Sequence, residues 1–199
     1  MADEFRLSII ADKYQDMING SSSGDAGVSL KEVPFQAQVT IRGNPRSPKF
    51  KDGVKSVIGV DVPTKANTCN TAGDYTIFWL SPDEWHIVGP VDNQDELTAK
   101  LREALAGQHV SVVDVSGNRT CLELSGAKAR EVMKKSCRLD MDAPSFKPGD
   151  CAQSRIEKAP CIIQIVDETP TYRLYVRPSF AEYLVDWLLD AMKEYRLSA

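Results

Sequence analysis

The two histidines, His86 and His109, are the side chains in this sequence best suited to proton transfer or metal binding. His86 lies in a predicted strand and His109 at the entrance of another, and neither has a second imidazole nearby. The sequence contains no His-Glu-x-x-His spacing, which would place two imidazoles on one helix face. We therefore interpret both as structural or surface histidines.

Paired carboxylates are the second set of residues that could carry acid/base chemistry. They are Asp83-Glu84, Asp140 with Asp142, and Asp167-Glu168. Acid/base work needs two carboxyl groups in different environments that face one cleft. Proximity in a loop does not supply this, so these residues are interpreted as solvated turn residues and caps.

The cysteines and glycines form no cofactor motif. Structural zinc sites normally use closely spaced cysteines, whereas these five are scattered: Cys69, Cys121, Cys137, Cys151 and Cys161. We expect separate reduced thiols that serve as small apolar residues. Neither a dinucleotide fingerprint nor a Walker A loop is present. The sequence therefore predicts no catalytic, cofactor-binding or metal-binding residue in this chain.

Composition and charge narrow the classes of partner. The chain has 199 residues, 42% hydrophobic and 26% charged, with a net charge of −4. This balance argues against binding to nucleic acid through phosphate neutralisation. No apolar run approaches the roughly 20 residues that span a bilayer, and the start of the chain lacks the pattern of a signal peptide. We expect a cytoplasmic protein with no membrane association.

The first 27 residues are predicted to be an arm and a linker, and residues 28–199 a single domain. Apolar residues at near-helical spacing predict a short amphipathic helix over residues 4–18. Residues 19–24, with the sequence Asn-Gly-Ser-Ser-Ser-Gly, are typical of a flexible linker.

The rest of the chain predicts strands in pairs separated by single helices. Strands are expected over residues 33–43 and 54–60, and residues 44–52 are expected to be turns. A hairpin is expected over 76–80 and 85–88, and further strands over 110–115, 120–124, 150–156, 162–166 and 172–176.

Helices are expected over residues 93–106, 125–136 and 179–195. Asn93 with Glu96, and Ser179 with Glu182, have the spacing of capping pairs. The order of elements favours an α+β fold with largely antiparallel sheets and a ferredoxin-like portion beside a smaller β-rich one.

A basic excess surrounds the second of these helices. It comprises Arg119, Lys128, Arg130, Lys134, Lys135 and Arg138. The excess is interpreted as a solvated helix face; the alternative is a surface for an acidic partner or a polyglutamyl-type ligand.

Several motifs give the chain a family resemblance from about residue 28 to its end. They are residues 38–43 (QVTIRG), 79–85 (WLSPDEW), 113–116 (VDVS), 146–154 (FKPGDCAQS) and 173–188 (RLYVRPSFAEYLVDWL). In this order and spacing, the chain resembles the gamma subunit of heterotetrameric sarcosine oxidase. That subunit is similar to the folate-binding aminomethyltransferase domain of the glycine cleavage system, so the resemblance implies the same α+β fold.

The resemblance also implies a function. It predicts a non-catalytic structural subunit, with alpha, beta and delta subunits as partners, in a complex that oxidises sarcosine with O2 to glycine and H2O2. With tetrahydrofolate, the one-carbon unit leaves as methylenetetrahydrofolate. FAD, FMN, NAD and zinc are expected on the other subunits, and none in this chain.

By the same resemblance, Trp79 and Trp85 are expected to be packing residues. Arg42, Arg173 and Arg177 are candidates for structural ion pairs or for contacts with the large subunit. The alternative function is a free-standing folate-binding aminomethyltransferase-like protein, for which Asp114 is the best ligand candidate. Asp114 is otherwise interpreted as a buried, hydrogen-bonded aspartate at a strand end.

Overall fold

In the computed structural model, residues 6–22 and 27–196 are described. Within them the strands are β1 (Ser29–Val33), β2 (Gln36–Arg42), β3 (Cys69–Ala72), β4 (Tyr75–Ser81), β5 (Glu84–Val91), β6 (Ser111–Asp114), β7 (Thr120–Ser125), β8 (Cys151–Ile156), β9 (Ala159–Asp167) and β10 (Thr171–Val176). The helices are α1 (Tyr14–Gly20), α2 (Pro48–Ile58), α3 (Gln94–Ala104), α4 (Ala129–Lys134) and α5 (Pro178–Met192). No helix in these residues is long and apolar enough to cross a membrane.

The chain divides into two compact units. The first contains the described residues up to Pro34, the segment Arg119–Pro148 and the chain from Ser154 onward. The second contains Phe35–Asn118 and Gly149–Gln153. Helix α1, which belongs to the predicted arm, therefore lies in the same unit as β1 and α5.

The first unit is built on a five-stranded sheet in the order β1-β7-β10-β9-β8. The pairs β1–β7, β7–β10 and β10–β9 are antiparallel. Leu122 and Leu174 are opposite each other in register, and both are buried. Helix α1 packs against β1 and α5, and α5 also packs against β9, so the apolar stripe of α5 is used inside this unit.

Four polar residues on neighbouring strands of the same sheet form a row in register. Lys31, Glu123, Arg173 and Gln164 are register neighbours on β1, β7, β10 and β9. The Glu123 carboxylate lies 2.9 Å from Lys31 Nζ and 3.1 Å from Arg173 Nε. Burial alone raises the pKa of Glu123, but hydrogen bonds from Lys31 and Arg173 outweigh it and hold the pKa below its usual value.

The second unit carries a five-stranded sheet in the order β3-β4-β5-β2-β6. Without the edge strand β3, its chain order is β2-α2-β4-β5-α3-β6 and its spatial order β4-β5-β2-β6. These two orders define the ferredoxin-like arrangement. The prediction of an α+β fold with antiparallel sheets and a ferredoxin-like portion is therefore confirmed.

Trp85 is a central packing residue of the second unit, as expected. Its side chain is fully buried, and its ring centroid lies 5.3 Å from that of Phe50 on α2. The indole Nε1 donates a hydrogen bond of 2.8 Å to the Pro63 carbonyl. Trp79 is partly buried against the same core.

The prediction of turns over 44–52 and a strand over 54–60 is wrong, because helix α2 covers Pro48–Ile58. The Ser47 hydroxyl caps its first turn by accepting from Phe50 N at 3.3 Å. Gly59 ends the helix in the left-handed conformation, with φ of 69°. The β-branched residues that favoured a strand instead form a buried helical stripe with Phe50.

The predicted first helix and linker also differ from the structure. Helix α1 begins at Tyr14, after a 3₁₀ turn, while Phe5 lies outside the described residues. Asn19 and Gly20 are helical rather than part of a linker. The Ser21 hydroxyl donates to Met17 O and accepts from Leu30 N, so it ties α1 to β1. Ser23 and Gly24 lie outside the described residues.

The predicted helix caps are wrong in both places. Asn93 donates its side-chain amide to the Tyr75 hydroxyl at 2.7 Å, and Glu182 pairs with Lys13 at 3.6 Å. Neither α3 nor α5 has a side-chain cap.

The helix predicted over 125–136 is shorter than expected, because Ser125 ends β7 and α4 begins at Ala129. Gly126 between them has φ of 110°, and a Cβ there would lie 2.5 Å from the Gly27 carbonyl oxygen. A φ of this sign lies outside the right-handed helical region, so the helix begins only after Gly126, and the close Gly27 carbonyl leaves room for no side chain at this position.

We expect Trp85→Phe to lower the free energy of unfolding by about 2–4 kcal/mol, because it leaves a cavity and an unpaired Pro63 carbonyl. Urea unfolding measures the change. Trp79→Phe is the matched control and should cost less than about 1 kcal/mol, since Trp79 is only partly buried. Equal costs would contradict the role given to Trp85.

We expect Glu123→Gln to cost about 1–2 kcal/mol at pH 7, because Arg173 loses its carboxylate partner in a site where only 12% of the Glu123 side chain is exposed. Because the folded-state pKa of Glu123 is lowered, its contribution is full above the unfolded-state value of about 4.3 and is lost as the pH falls through the folded-state value. Urea unfolding measures the free energy of unfolding of both proteins at pH 7 and at lower pH. The difference between Glu123→Gln and wild type should become smaller as the pH falls.

Glu84→Gln is the control for the charge change. Glu84 Oε2 lies 3.8 Å from Nε of the exposed Arg42. Because surface ion pairs contribute little to stability, Glu84→Gln should lower the free energy of unfolding by less than about 0.5 kcal/mol. A pH-independent effect of Glu123→Gln would contradict the ion-pair explanation.

Candidate functional site

His86 is a buried side chain in the middle of β5 and is held by polar neighbours on β2. Its Nε2 lies 3.2 Å from Gln38 Oε1, and its Nδ1 lies 3.4 Å from Thr40 Oγ1. Gln38 and Thr40 alternate along β2 with the core residues Val39 and Ile41, so they share the face of the sheet that carries His86. This geometry fits a structural histidine.

His109 is exposed and lines an open groove of about 770 Å³ in the second unit. Arg42 and Asp83 line the same groove. Arg42 Nη2 lies 3.1 Å from Asp83 Oδ2, and Ser81 Oγ donates to Asp83 Oδ1 at 2.8 Å. The hydrogen bonds from Ser81 and Arg42 lower the pKa of Asp83. The groove is therefore lined by an arginine and a carboxylate that already satisfy each other.

The three candidate arginines have different surroundings. Arg42 and Arg173 form ion pairs, one of the two kinds of contact considered for them, with Asp83 and Glu123 respectively. Arg177 occupies the N-cap position of α5, and its carbonyl accepts a 2.9 Å hydrogen bond from Phe180 N. The sequence indicated the kind of contact but not the partners, which lie 41 and 50 residues away in the chain.

Asp114 is exposed at the end of β6, so the interpretation as a buried aspartate is wrong. Its Oδ1 accepts from Ser116 N at 2.9 Å and from Ser116 Oγ at 2.6 Å. Ser116 Oγ in turn accepts from Gln38 N. The carboxylate thus fixes the turn that follows β6.

The other carboxylate pairs are used in turns and surface ion pairs. Asp140 accepts from Ser145 Oγ and Asp142 N, and the bond from Ser145 is the main reason that its pKa is lowered. Asp142 lies 2.6 Å from Lys134 Nζ. Asp167 Oδ1 accepts from Thr169 N and Thr171 N, both at 3.0 Å.

All five cysteines lie in the described residues, where they are buried and form no disulfide. Burial raises the pKa values of Cys121 and Cys161 to about 12, so both thiols are protonated and poor nucleophiles near neutral pH. Cys151 contacts Cys69, and this contact together with burial raises its pKa as well. Within residues 6–22 and 27–196, no group of three or more His, Cys, Asp or Glu side chains could hold a metal ion.

Several cations of the basic excess are bound within the first unit. Arg130 donates to the carbonyls of Met141 and Phe146. Lys134 pairs with Asp142, and Lys135 with Glu194. These contacts anchor α4 to the segments around it, so these three cations do more than form the solvated helix face that was predicted.

Comparisons with known proteins place these features in a family. A model described as "Sarcosine oxidase, gamma subunit family" matches residues 42–194. A sarcosine oxidase subunit gamma from Corynebacterium sp. (strain P-1) is 34% identical over 180 residues, which are 90% of this chain and 86% of the relative. A protein with the same name from Arthrobacter sp. is 33% identical over the same shares of both chains.

Solved structures agree with this placement. A chain of the heterotetrameric sarcosine oxidase from Corynebacterium sp. U-96 matches with a TM-score of 0.89 and 28% identity, over 98% of each chain. The glycine cleavage system aminomethyltransferase T from Bartonella henselae matches with a TM-score of 0.65 over 91% of this chain and 56% of that one. At 12% identity the second match shows the fold alone, and it confirms the aminomethyltransferase-like fold. The chain belongs to the sarcosine oxidase gamma subunit family.

Proposed function

We propose that this chain is a non-catalytic structural gamma subunit of a heterotetrameric sarcosine oxidase. The observation that carries the proposal is the match to a chain of such an enzyme over 98% of both chains. A likeness of that extent leaves little of either chain without a counterpart. The alpha, beta and delta subunits are its proposed partners, and the cytoplasm its proposed location.

In this proposal, the complex oxidises sarcosine to glycine. Two hydrogen atoms pass to O2 to form H2O2, and the carbon of the methyl group passes to tetrahydrofolate as methylenetetrahydrofolate. FAD, FMN, NAD and zinc are proposed to be bound by the other subunits. The proposed contribution of this chain is structural: its surface contacts the other subunits.

The contacts of the described residues support a structural role. His86 lies between Gln38 and Thr40, Arg42 is paired with Asp83, and Glu123 is paired with Lys31 and Arg173. Each of these groups has a type that could act on a substrate, yet each is engaged within its own unit. Asp114 does not support the alternative of a free-standing folate-binding protein, because its carboxylate is hydrogen-bonded to Ser116.

Affinity purification of the tagged chain from its native cells tests the proposal. We expect a yellow eluate that contains three further polypeptides and produces H2O2 only when sarcosine is added. An untagged strain controls for nonspecific recovery. A colourless chain that elutes alone and binds tetrahydrofolate saturably, with binding lost in Asp114→Asn, would contradict the proposal and support the folate-binding alternative.

A further inference from the structure

Two of the buried cysteines, Cys69 and Cys151, lie next to each other in the second unit although they are far apart in the chain. Their thiols are hydrogen-bonded to each other. Cys69 is 5% exposed and Cys151 is 1% exposed. We name these two residues the thiol pair. Two adjacent thiols can be oxidised to a disulfide within the chain, which a single buried cysteine cannot form.

The backbone holds the thiol pair in register. Thr68 and Asp150 form an antiparallel β-bridge, and each cysteine follows one of them by one position. Each cysteine N–H donates across the bridge to a carbonyl of the opposite stretch, at 2.9 Å for Cys69 and 3.0 Å for Cys151. Because side chains alternate along a strand, both thiols lie on the same face, opposite that of the bridged residues.

The segment that carries Cys151 is short and has few fastenings. Only residues 149–153 of this stretch belong to the second unit, since the residues before and after them belong to the first. Besides the two backbone bonds, Gln153 Nε2 donates to Leu80 O at 2.8 Å. A segment held by so few hydrogen bonds opens locally at a lower free energy than the strands of the core. A covalent link to β3 would change that.

Burial slows oxidation of the pair without preventing it. The contact with Cys69, together with burial, raises the pKa of Cys151, so this thiol stays protonated near neutral pH. The thiolate is the form that attacks an oxidant. The first oxidation therefore falls to Cys69, the more exposed of the two, when the segment opens.

We propose that the thiol pair is an oxidation site, at which hydrogen peroxide forms a Cys69–Cys151 disulfide that fastens residues 149–153 to β3. The Cys69 thiolate attacks one peroxide oxygen, and the O–O bond breaks. The hydroxide that leaves takes up the proton lost by Cys69, and the product is a sulfenic acid. The Cys151 sulfur then attacks the sulfenic sulfur, the S–O bond breaks and a second water leaves with the Cys151 proton. Two thiols are oxidised to a disulfide, and hydrogen peroxide is reduced to two waters.

The source of the oxidant connects this site with the proposed function. Hydrogen peroxide is the product of the reaction proposed for the complex, so the oxidant would be formed in the same assembly. Disulfides in cytosolic proteins commonly serve in redox sensing. The inference itself does not rest on that reaction, because both cysteines belong to this chain and the test supplies the peroxide.

Peptide mass spectrometry tests the inference on the tagged chain, purified from its native cells with any subunits that accompany it. The reduced protein is treated with hydrogen peroxide, remaining thiols are blocked, and the chain is digested without reductant. We expect a linked pair of peptides that contain Cys69 and Cys151, at least about tenfold more abundant than in the untreated sample. Dithiothreitol should return both peptides to the free form.

Three variants control for specificity and for misfolding. Cys69→Ala and Cys151→Ala change opposite stretches of the bridge, and each should abolish the linked pair. Cys121→Ala is the matched control, because Cys121 is also 1% exposed but hydrogen-bonds to Tyr175 rather than to a cysteine. The control should form the Cys69–Cys151 link at the wild-type level. Loss of the link in Cys121→Ala as well would contradict the assignment to the thiol pair.

Hydrogen exchange of residues 149–153 tests the fastening. We expect exchange to slow several-fold in the oxidised chain, since the link suppresses local opening. Unchanged exchange in a linked chain would overturn the fastening. Thiols that stay free in peroxide, or links through other cysteines, would overturn the oxidation site. Failure of sarcosine to generate peroxide would count against the proposed function alone and would leave these results unaffected.

Discussion

The buried indole of Trp85 is the contact on which the second unit depends. Its ring packs against Phe50 of α2, its Nε1 binds the Pro63 carbonyl, and its backbone lies in the strand between β4 and β2. The side chain therefore joins β5 to α2 and to the segment at Pro63. A fully buried N–H must find an acceptor, so the path of the chain at Pro63 is fixed by the same residue that fills the core. Arg42 ends β2 and pairs with Asp83, which directly precedes β5, so this ion pair closes the same two strands at the surface.

Both units use polar side chains of central strands to join neighbouring strands. In the first unit Glu123 is bound from both sides by Lys31 and Arg173. In the second, His86 is held by Gln38 and Thr40. A half-buried charge is favourable only when its partners are in place, so these groups specify strand register as well as stability. The side chains in the sequence that are best suited to catalysis or ligand binding are therefore engaged in contacts within the fold.

Local patterns predicted the strands and long helices, and tertiary contacts account for the errors. The hairpin over 76–88 and helix α5 follow from strong periodicity. Helix α2 was mistaken for turns and a strand because its β-branched residues outweighed the signals at Ser47, Pro48 and Gly59 that mark a helix start and stop. Asn93 does not cap α3, because Tyr75, 18 residues away, takes its side chain. The candidate arginines could likewise be named from the sequence. Their partners could not, because those partners lie far away in the chain.

The contacts of Asp114 show how an exposed carboxylate can be used by the fold itself. A carboxylate at an exposed strand end can face a ligand or bind its own turn. Here Ser116 supplies both an N–H and an O–H to Asp114 Oδ1, and the same hydroxyl accepts from Gln38 N on β2. The aspartate is thus the end of a chain of hydrogen bonds that closes the edge of the sheet. Because Ser116 supplies both donors, the residue two positions after Asp114 determines that the carboxylate serves the turn.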